Sequence, residues 1–303
     1  MSQHPSTPNE HDHRPGDLHD HDRGLSHDLP LIVQRGMGRR GLLALFGGVG
    51  AVAIAGCGTD ESTGTASTGS SSDQGSGSGG PAEGGGGSGS NVSVAEGEMP
   101  EETGGPFPAD GSNGVDVLSE SGVVRSDITA SFGSASGVAE GVPLRIRLKV
   151  YDLDGDDARL LTGAAVYVWH CNREGEYSMY SGGAEGENYL RGVQETDTSG
   201  YVEFTSIFPA AYDGRWPHVH FEVYPSLADA TSASNKLRTS QLALPEAACK
   251  KVYEADGYED SAGNLAQTSL ESDNVFGDGY SLQLAKVTGS NDDGYLATLN
   301  VPV

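Results

Sequence analysis

The stretch Leu144-Arg-Ile-Arg-Leu-Lys-Val150 alternates an apolar residue with a cation through seven positions. Successive side chains of a strand point to opposite faces, so Leu144, Ile146, Leu148 and Val150 share one face and Arg145, Arg147 and Lys149 the other. Such a strand has one dry side, which needs a second layer to cover it. The same reading recurs downstream. Asp152-Leu-Asp-Gly155 predicts a turn, Ala164 to Trp169 a strand rich in β-branched and aromatic residues, and Asp197-Thr-Ser-Gly200 a second turn. Tyr201 to Ile207 and His218 to Tyr224 follow as strands. Ser281 to Val287 and Tyr295 to Val301 read as a hairpin around Gly289-Ser-Asn-Asp-Asp-Gly294. Helical patterns are confined to Ser226–Ala233 and Pro245–Glu254, the second opening on a proline suited to a first turn. Short strands with turns between them predict an all-β fold, an antiparallel β-sandwich with a few short helices.

Not all of the 303 residues belong to that domain. From Thr59 to about Gly105 the chain is dominated by Gly, Ser, Thr and Glu, a composition that buries too little apolar surface to offset its ordering entropy. Before it, Gly38-Arg39-Arg40-Gly41 leads into the apolar run Leu42–Ala55, too short to span a bilayer comfortably and suited to a signal-peptide core. The paired arginines suggest twin-arginine export, and Ile54-Ala55-Gly56-Cys57 suggests a lipobox with Cys57 as the lipidated residue. Hence the expected division: 1–57 a signal segment, 58–110 a flexible linker, 111–303 the β-sandwich, exported and either lipid-anchored on the outer face of a bacterial membrane or secreted. Residues 1–37 hold six histidines among many aspartates, read as a solvated extension rather than a metal tract. The formal charge of −25, nearly all of it beyond Gly56, argues against nucleic acid and anionic membrane surfaces as partners.

The sandwich keeps only His170, His218 and His220. His218 and His220 stand two apart in a strand, so both imidazoles point the same way and form a metal half-site. By itself that pair is equally well read as two hydrogen-bonded histidines. Two neighbouring stretches add to it: Phe208-Pro-Ala-Ala-Tyr212-Asp-Gly-Arg215-Trp-Pro217 just before, and Trp169-His-Cys-Asn followed by Gly175-Glu-Tyr177-Ser178 upstream.

Taken with Leu190-Arg191, Thr196-Asp197-x-x-Gly200 and Ser240-Gln241, these motifs resemble the intradiol ring-cleavage dioxygenases over about Val124 to Leu244. The resemblance implies a non-haem Fe(III) held by Tyr177, Tyr212, His218 and His220, with Tyr212 as the displaceable ligand. It implies active-site roles for Arg215 and Gln241, a small aromatic diol and O2 as substrates, and a muconate-type diacid as product. The chemistry of the donors agrees independently: Fe(III) is hard and favours phenolate oxygen, and a bound cation lowers the pKa of its ligands. Tyr180, Tyr189 and Tyr201 remain alternative phenol donors, and Trp216 either lines the pocket or only packs. His170 matches no ligand position. Cys171 and Cys249 leave a disulfide open, which spacing does not decide. The loop from Tyr212 to His218 is short for the family, and the tail beyond about Gly257 matches no motif. The competing reading is an exported β-sandwich that binds a ligand and catalyses nothing.

Overall fold

The computed structural model describes residues 97–154 and 157–303. The signal segment, Cys57, the histidine tract and the linker up to residue 96 lie outside them. Among the described residues nine strands form two sheets. In the first, β1 (Pro143–Asp154) pairs along one edge with β5 (Tyr201–Ile207) and then β2 (Asp157–Leu160), and along its other edge with β9 (Gly294–Pro302), which pairs β8 (Lys286–Ser290). The second runs β4 (Arg191–Glu195), β3 (Ala165–Trp169), β6 (His218–Tyr224), β7 (Arg238–Ala243), antiparallel throughout. The first sheet departs from the expected antiparallel order at one place: β1 and β9 are parallel.

Leu144, Ile146, Leu148 and Val150 are buried as the alternation requires. They meet Val166 and Val168 of β3 and Val219, Phe221 and Val223 of β6 across the core. The second sheet is buried on both faces, and every residue of β6 is inaccessible. Its core face carries Val219, Phe221 and Val223, while its far face carries His218, His220, Glu222 and Tyr224. Placing that polar row indoors requires a cover, and residues 97–118 supply part of it.

That cover corrects the linker boundary, since residues 97–110 pack on the domain. Met99 is fully buried and its amide donates to the Pro302 carbonyl. The Glu102 amide donates to the Thr239 carbonyl, Gln241 Nε2 donates to the Thr103 carbonyl, and Tyr167 Oη donates to the Pro108 carbonyl. The composition of 58–110 is linker-like on average; a few apolar and hydrogen-bonding residues near its end suffice to dock it.

Glu102 on this strap is pushed up from 4.5 to about 8, chiefly by burial and then by the charge of Asp278. The unfolded chain ionises this carboxyl near 4.5, so between 4.5 and 8 the folded chain holds a proton that the unfolded chain lacks. Stability from this group is therefore complete below the lower value and lost as pH rises through the upper one. Urea unfolding at about pH 5 and about pH 9 should show a fall in the parent that Glu102→Gln flattens. An equal fall in both proteins would remove Glu102 as the source.

Other expectations fare unequally. The expected helix over Pro245–Glu254 appears as α1 (Glu246–Val252), with Pro245 as its extended N-cap rather than in its first turn. Ser226–Ala233 is a run of turns ending in a 3-10 turn at Ala233–Asn235 rather than a helix. The hairpin's first arm starts at Lys286, not Ser281. Strands β2, β4 and β7 and the short α2 (Ser261–Leu265) went unpredicted.

Candidate metal centre

Sheet register builds the site. Trp169 of β3, His220 of β6 and Gln241 of β7 are paired neighbours, so they form one row across three strands. Trp169 lies flat on the His220 imidazole, ring centroids 4.8 Å apart and planes within 5°, which fixes the ring without a hydrogen bond. His220 Nδ1 has no hydrogen-bond partner among the described residues. His218, two positions earlier on the same face, donates from Nδ1 to the Trp216 carbonyl at 2.5 Å. A carbonyl can only accept, so the proton is on Nδ1 and the Nε2 lone pair faces the site.

Two phenols arrive from loops. Tyr177 follows β3, and Tyr212 follows β5. The Tyr177 oxygen lies 3.4 Å from that of Tyr212 and 3.4 Å from His218 Nε2. The Tyr212 oxygen lies 3.3 Å from His218 Nε2, which is 3.1 Å from His220 Nε2. Donors bonded at about 2.1 Å to one tetrahedral cation stand about 3.4 Å apart, so this cluster has the span of a coordination shell. Two glycines permit the approach. Gly175 takes φ +88°, and a side chain there would meet Tyr212 Cβ at 3.2 Å; Gly105 takes φ +69° against the edge of His220.

Burial governs the protonation of the four. It lowers His218 to about 3, with Arg215 adding to the effect, and drives His220 well below its ordinary value. It lifts Tyr177 and Tyr212 above theirs. The cluster alone thus holds neutral imidazoles and protonated phenols. Two phenols that ionise only when a strong cation arrives, beside two neutral imidazoles, suit a hard trivalent ion. Among the described residues no three His, Cys, Asp or Glu gather into a metal-holding group elsewhere.

Arg215 is buried beside the cluster. Its Nε donates to Asp273 Oδ2 at 3.0 Å and its Nη2 to Gln241 Oε1 at 2.6 Å. Gly105, Pro106 and Phe107 close the remaining side, Phe107 packing 5.0 Å from the Tyr177 ring. The cleft left among these residues is about 10 Å³, room for one water.

The structure therefore brings Tyr177, Tyr212, Arg215, His218, His220 and Gln241 to one place. The alternative donors lie apart. Tyr180 donates to Asn113 Oδ1, Tyr189 accepts from Asn172, and Tyr201 sits on the outer face of the first sheet. His170 is buried between the Cys171 carbonyl and the Ser206 hydroxyl. Trp216 packs, its Nε1 donating to the Leu244 carbonyl. Cys171 and Cys249 are separate buried thiols. Sequence reasoning missed Gly105–Phe107, hidden in apparent linker, and Asp273, in a segment without a motif. The buried run Val275-Phe276 beside Asp273 was the available signal.

Residues 124–229 match the dioxygenase family. Over 152 residues the chain is 28% identical to catechol 1,2-dioxygenase 1 of Acinetobacter lwoffii, covering 38% of this chain and 49% of that protein. Over 76 residues it is 34% identical to catechol 1,2-dioxygenase 2 of the same organism, covering 25% and 26%. The chain thus spans about half the length, or less, of these relatives. Among solved structures, an intradiol ring-cleavage dioxygenase from Tetranychus urticae superposes with a TM-score of 0.48 at 22% identity, covering 60% of this chain and 87% of that one. The dioxygenase domain of a carbohydrate-binding fusion from Streptomyces sp. SirexAA-E gives 0.43 at 19%, covering 68% and 97%. Residues 124–229, the stretch that matches the dioxygenase family, contain Tyr177, Tyr212, Arg215, His218 and His220.

Proposed function

We infer that this protein is a non-haem Fe(III)-dependent dioxygenase that opens a catechol-type aromatic diol between its hydroxyls with O2, releasing a muconate-type diacid. The observation that carries this reading is the meeting of two phenol oxygens and two imidazole nitrogens at 3.1–3.4 Å. Tyr177, Tyr212, His218 and His220 would hold the iron. When bound, Fe(III) supplies the charge that ionises the phenols and makes a chelated catecholate reactive toward O2.

The remaining steps belong to the chain. His218, tethered through Nδ1, keeps a lone pair aimed at the metal position. Tyr212 would be one of the phenols that hold the iron and, on release, would take a proton from the diol, so the site would carry its own base. Arg215, held on two sides, places positive charge where negative charge develops on the substrate. Pro106 and Phe107 keep water from the reacting face. Export through residues 1–57, with a lipid anchor at Cys57, belongs to the same proposal and is tested by radiolabelled fatty-acid incorporation in parent and Cys57→Ala.

The test is iron content, visible absorption and O2 uptake on one preparation, with catechol, protocatechuate and hydroxyquinol in turn. Stoichiometric iron, a visible phenolate-to-iron(III) band and uptake with at least one diol are expected. A colourless, metal-free protein would favour the ligand-binding module instead.

A further inference from the structure

The segment after α1 carried no motif, yet it delivers a buried carboxylate to the site. Asp273 Oδ1 accepts from the amides of Val275 and Phe276 at 2.8 and 3.2 Å, which ties it to the start of the 3-10 turn Phe276–Asp278. Its Oδ2 accepts from Arg215 Nε at 3.0 Å and from the Trp216 amide at 2.7 Å. Arg215 Nη2 donates to Gln241 Oε1 at 2.6 Å and, at longer range, to Asp273 Oδ1 at 3.5 Å. A guanidinium is planar, so anchoring Nε and Nη2 fixes the direction of Nη1, which takes no partner among the described residues.

The same carboxylate reaches a second group. It holds the Trp216 N–H, and the Trp216 carbonyl holds His218 Nδ1–H. Burial alone would raise the Asp273 carboxyl, but Arg215 and the Trp216 amide outweigh it, so it stays ionised. Its side chain is 0% exposed and that of Arg215 is 2% exposed, so neither partner is diverted by solvent.

We propose that Asp273 is a positioning residue for Arg215 and, through Trp216, for His218: it aims the cation that meets the substrate's developing charge without touching substrate itself. This rests on the dioxygenase reading above. A carboxylate that merely pinned the C-terminal segment to the sandwich would not need to hold this arginine through both Nε and Nη2.

The experiment uses the full chain, with Asp273→Asn, Arg215→Lys and the double variant. Asparagine keeps the Oδ1 acceptor for Val275 and Phe276 and loses the charge. The first readout is the slowly exchanging Arg215 Nε–H resonance of the metal-free protein, assigned by its disappearance in Arg215→Lys. Asp273→Asn should abolish its protection; an unchanged resonance overturns the proposal. The second is steady-state kinetics at matched iron content. Asp273→Asn should lower kcat about 100-fold with KM changed by less than about threefold, and should add nothing to Arg215→Lys. An equal additional loss in the Arg215→Lys background marks a structural role and overturns the proposal. If Asp273→Asn does not fold, Asp273→Glu keeps the charge and displaces it by one methylene; parental kcat in that variant overturns it equally. If the iron-loaded parent consumes no O2 with any diol, the dioxygenase reading fails, and the Nε–H resonance alone decides whether Asp273 positions Arg215.

Discussion

Protein carrying His220→Ala should be purified with almost no iron and no O2 uptake, and so should Tyr177→Phe. Both side chains are inward donors of the four-atom cluster, and neither has a neighbour able to substitute: the other tyrosines bond elsewhere and His170 is engaged on both nitrogens. Losing only an orienting partner of a metal ligand costs about 10- to 100-fold in metal affinity, so losing the ligand itself should exceed that. Tyr177→Phe is the cleaner of the two, because the ring keeps its packing on Phe107 and only the oxygen goes. His220→Ala also removes the surface on which Trp169 stacks, so its iron loss should be accompanied by some loss of thermal stability. Elemental analysis after iron reconstitution decides the matter: full occupancy in both variants would overturn the ligand assignment.

Tyr212→Phe should behave differently. Three protein donors remain, so much of the iron should stay, whereas kcat should fall about 100-fold, since in the proposed mechanism Tyr212 is also the base for the substrate's second proton. The surroundings favour such a departure. The cleft beside the cluster, about 10 Å³, is too small for an aromatic ring, and on its other flank Tyr212 borders a groove of about 530 Å³ lined by Glu176, Asp213 and Asn264. A ring that swings toward that groove vacates space where the diol must enter. Iron content, the diol-induced spectral change and O2 uptake should be measured together. O2 consumption at the parental rate in Tyr212→Phe would mean that Tyr212 is not the ligand that leaves.

The features legible in sequence were those written in local period. The β1 alternation fixed a strand and its buried face, and the two-residue spacing of His218 and His220 put both imidazoles on one side of β6. Strands β4 and β7 escaped because Arg191, Gln194, Arg238, Thr239 and Gln241 break the apolar pattern. Arg191, Thr239 and Gln241 face the polar side of a sheet that is covered by other chain segments, Gln194 and Arg238 interrupt the opposite face, and no periodicity along the strand records a cover supplied from 70 or more residues away. The same reason hid Gly105–Phe107 and Asp273. Their role exists only after the strap and the C-terminal segment have closed on the sheet, a fact of tertiary packing. The two tyrosines were found through motif resemblance; spacing alone did not separate them from Tyr180 or Tyr189.

The parallel pairing of β1 with β9 joins Leu144 to Tyr295 and Val150 to Val301. On a ribosome, β1 emerges early and then waits with one hydrogen-bonding edge open until residues 294–302 have been made. Pairings this distant in sequence are slow to close, because loop entropy is lost before any contact compensates for it. Meanwhile the second sheet, whose strands fall between residues 165 and 243, can assemble on its own. Nascent chains stalled before residue 294 should therefore present the unpaired edge of β1 and be prone to edge-to-edge association until β9 arrives.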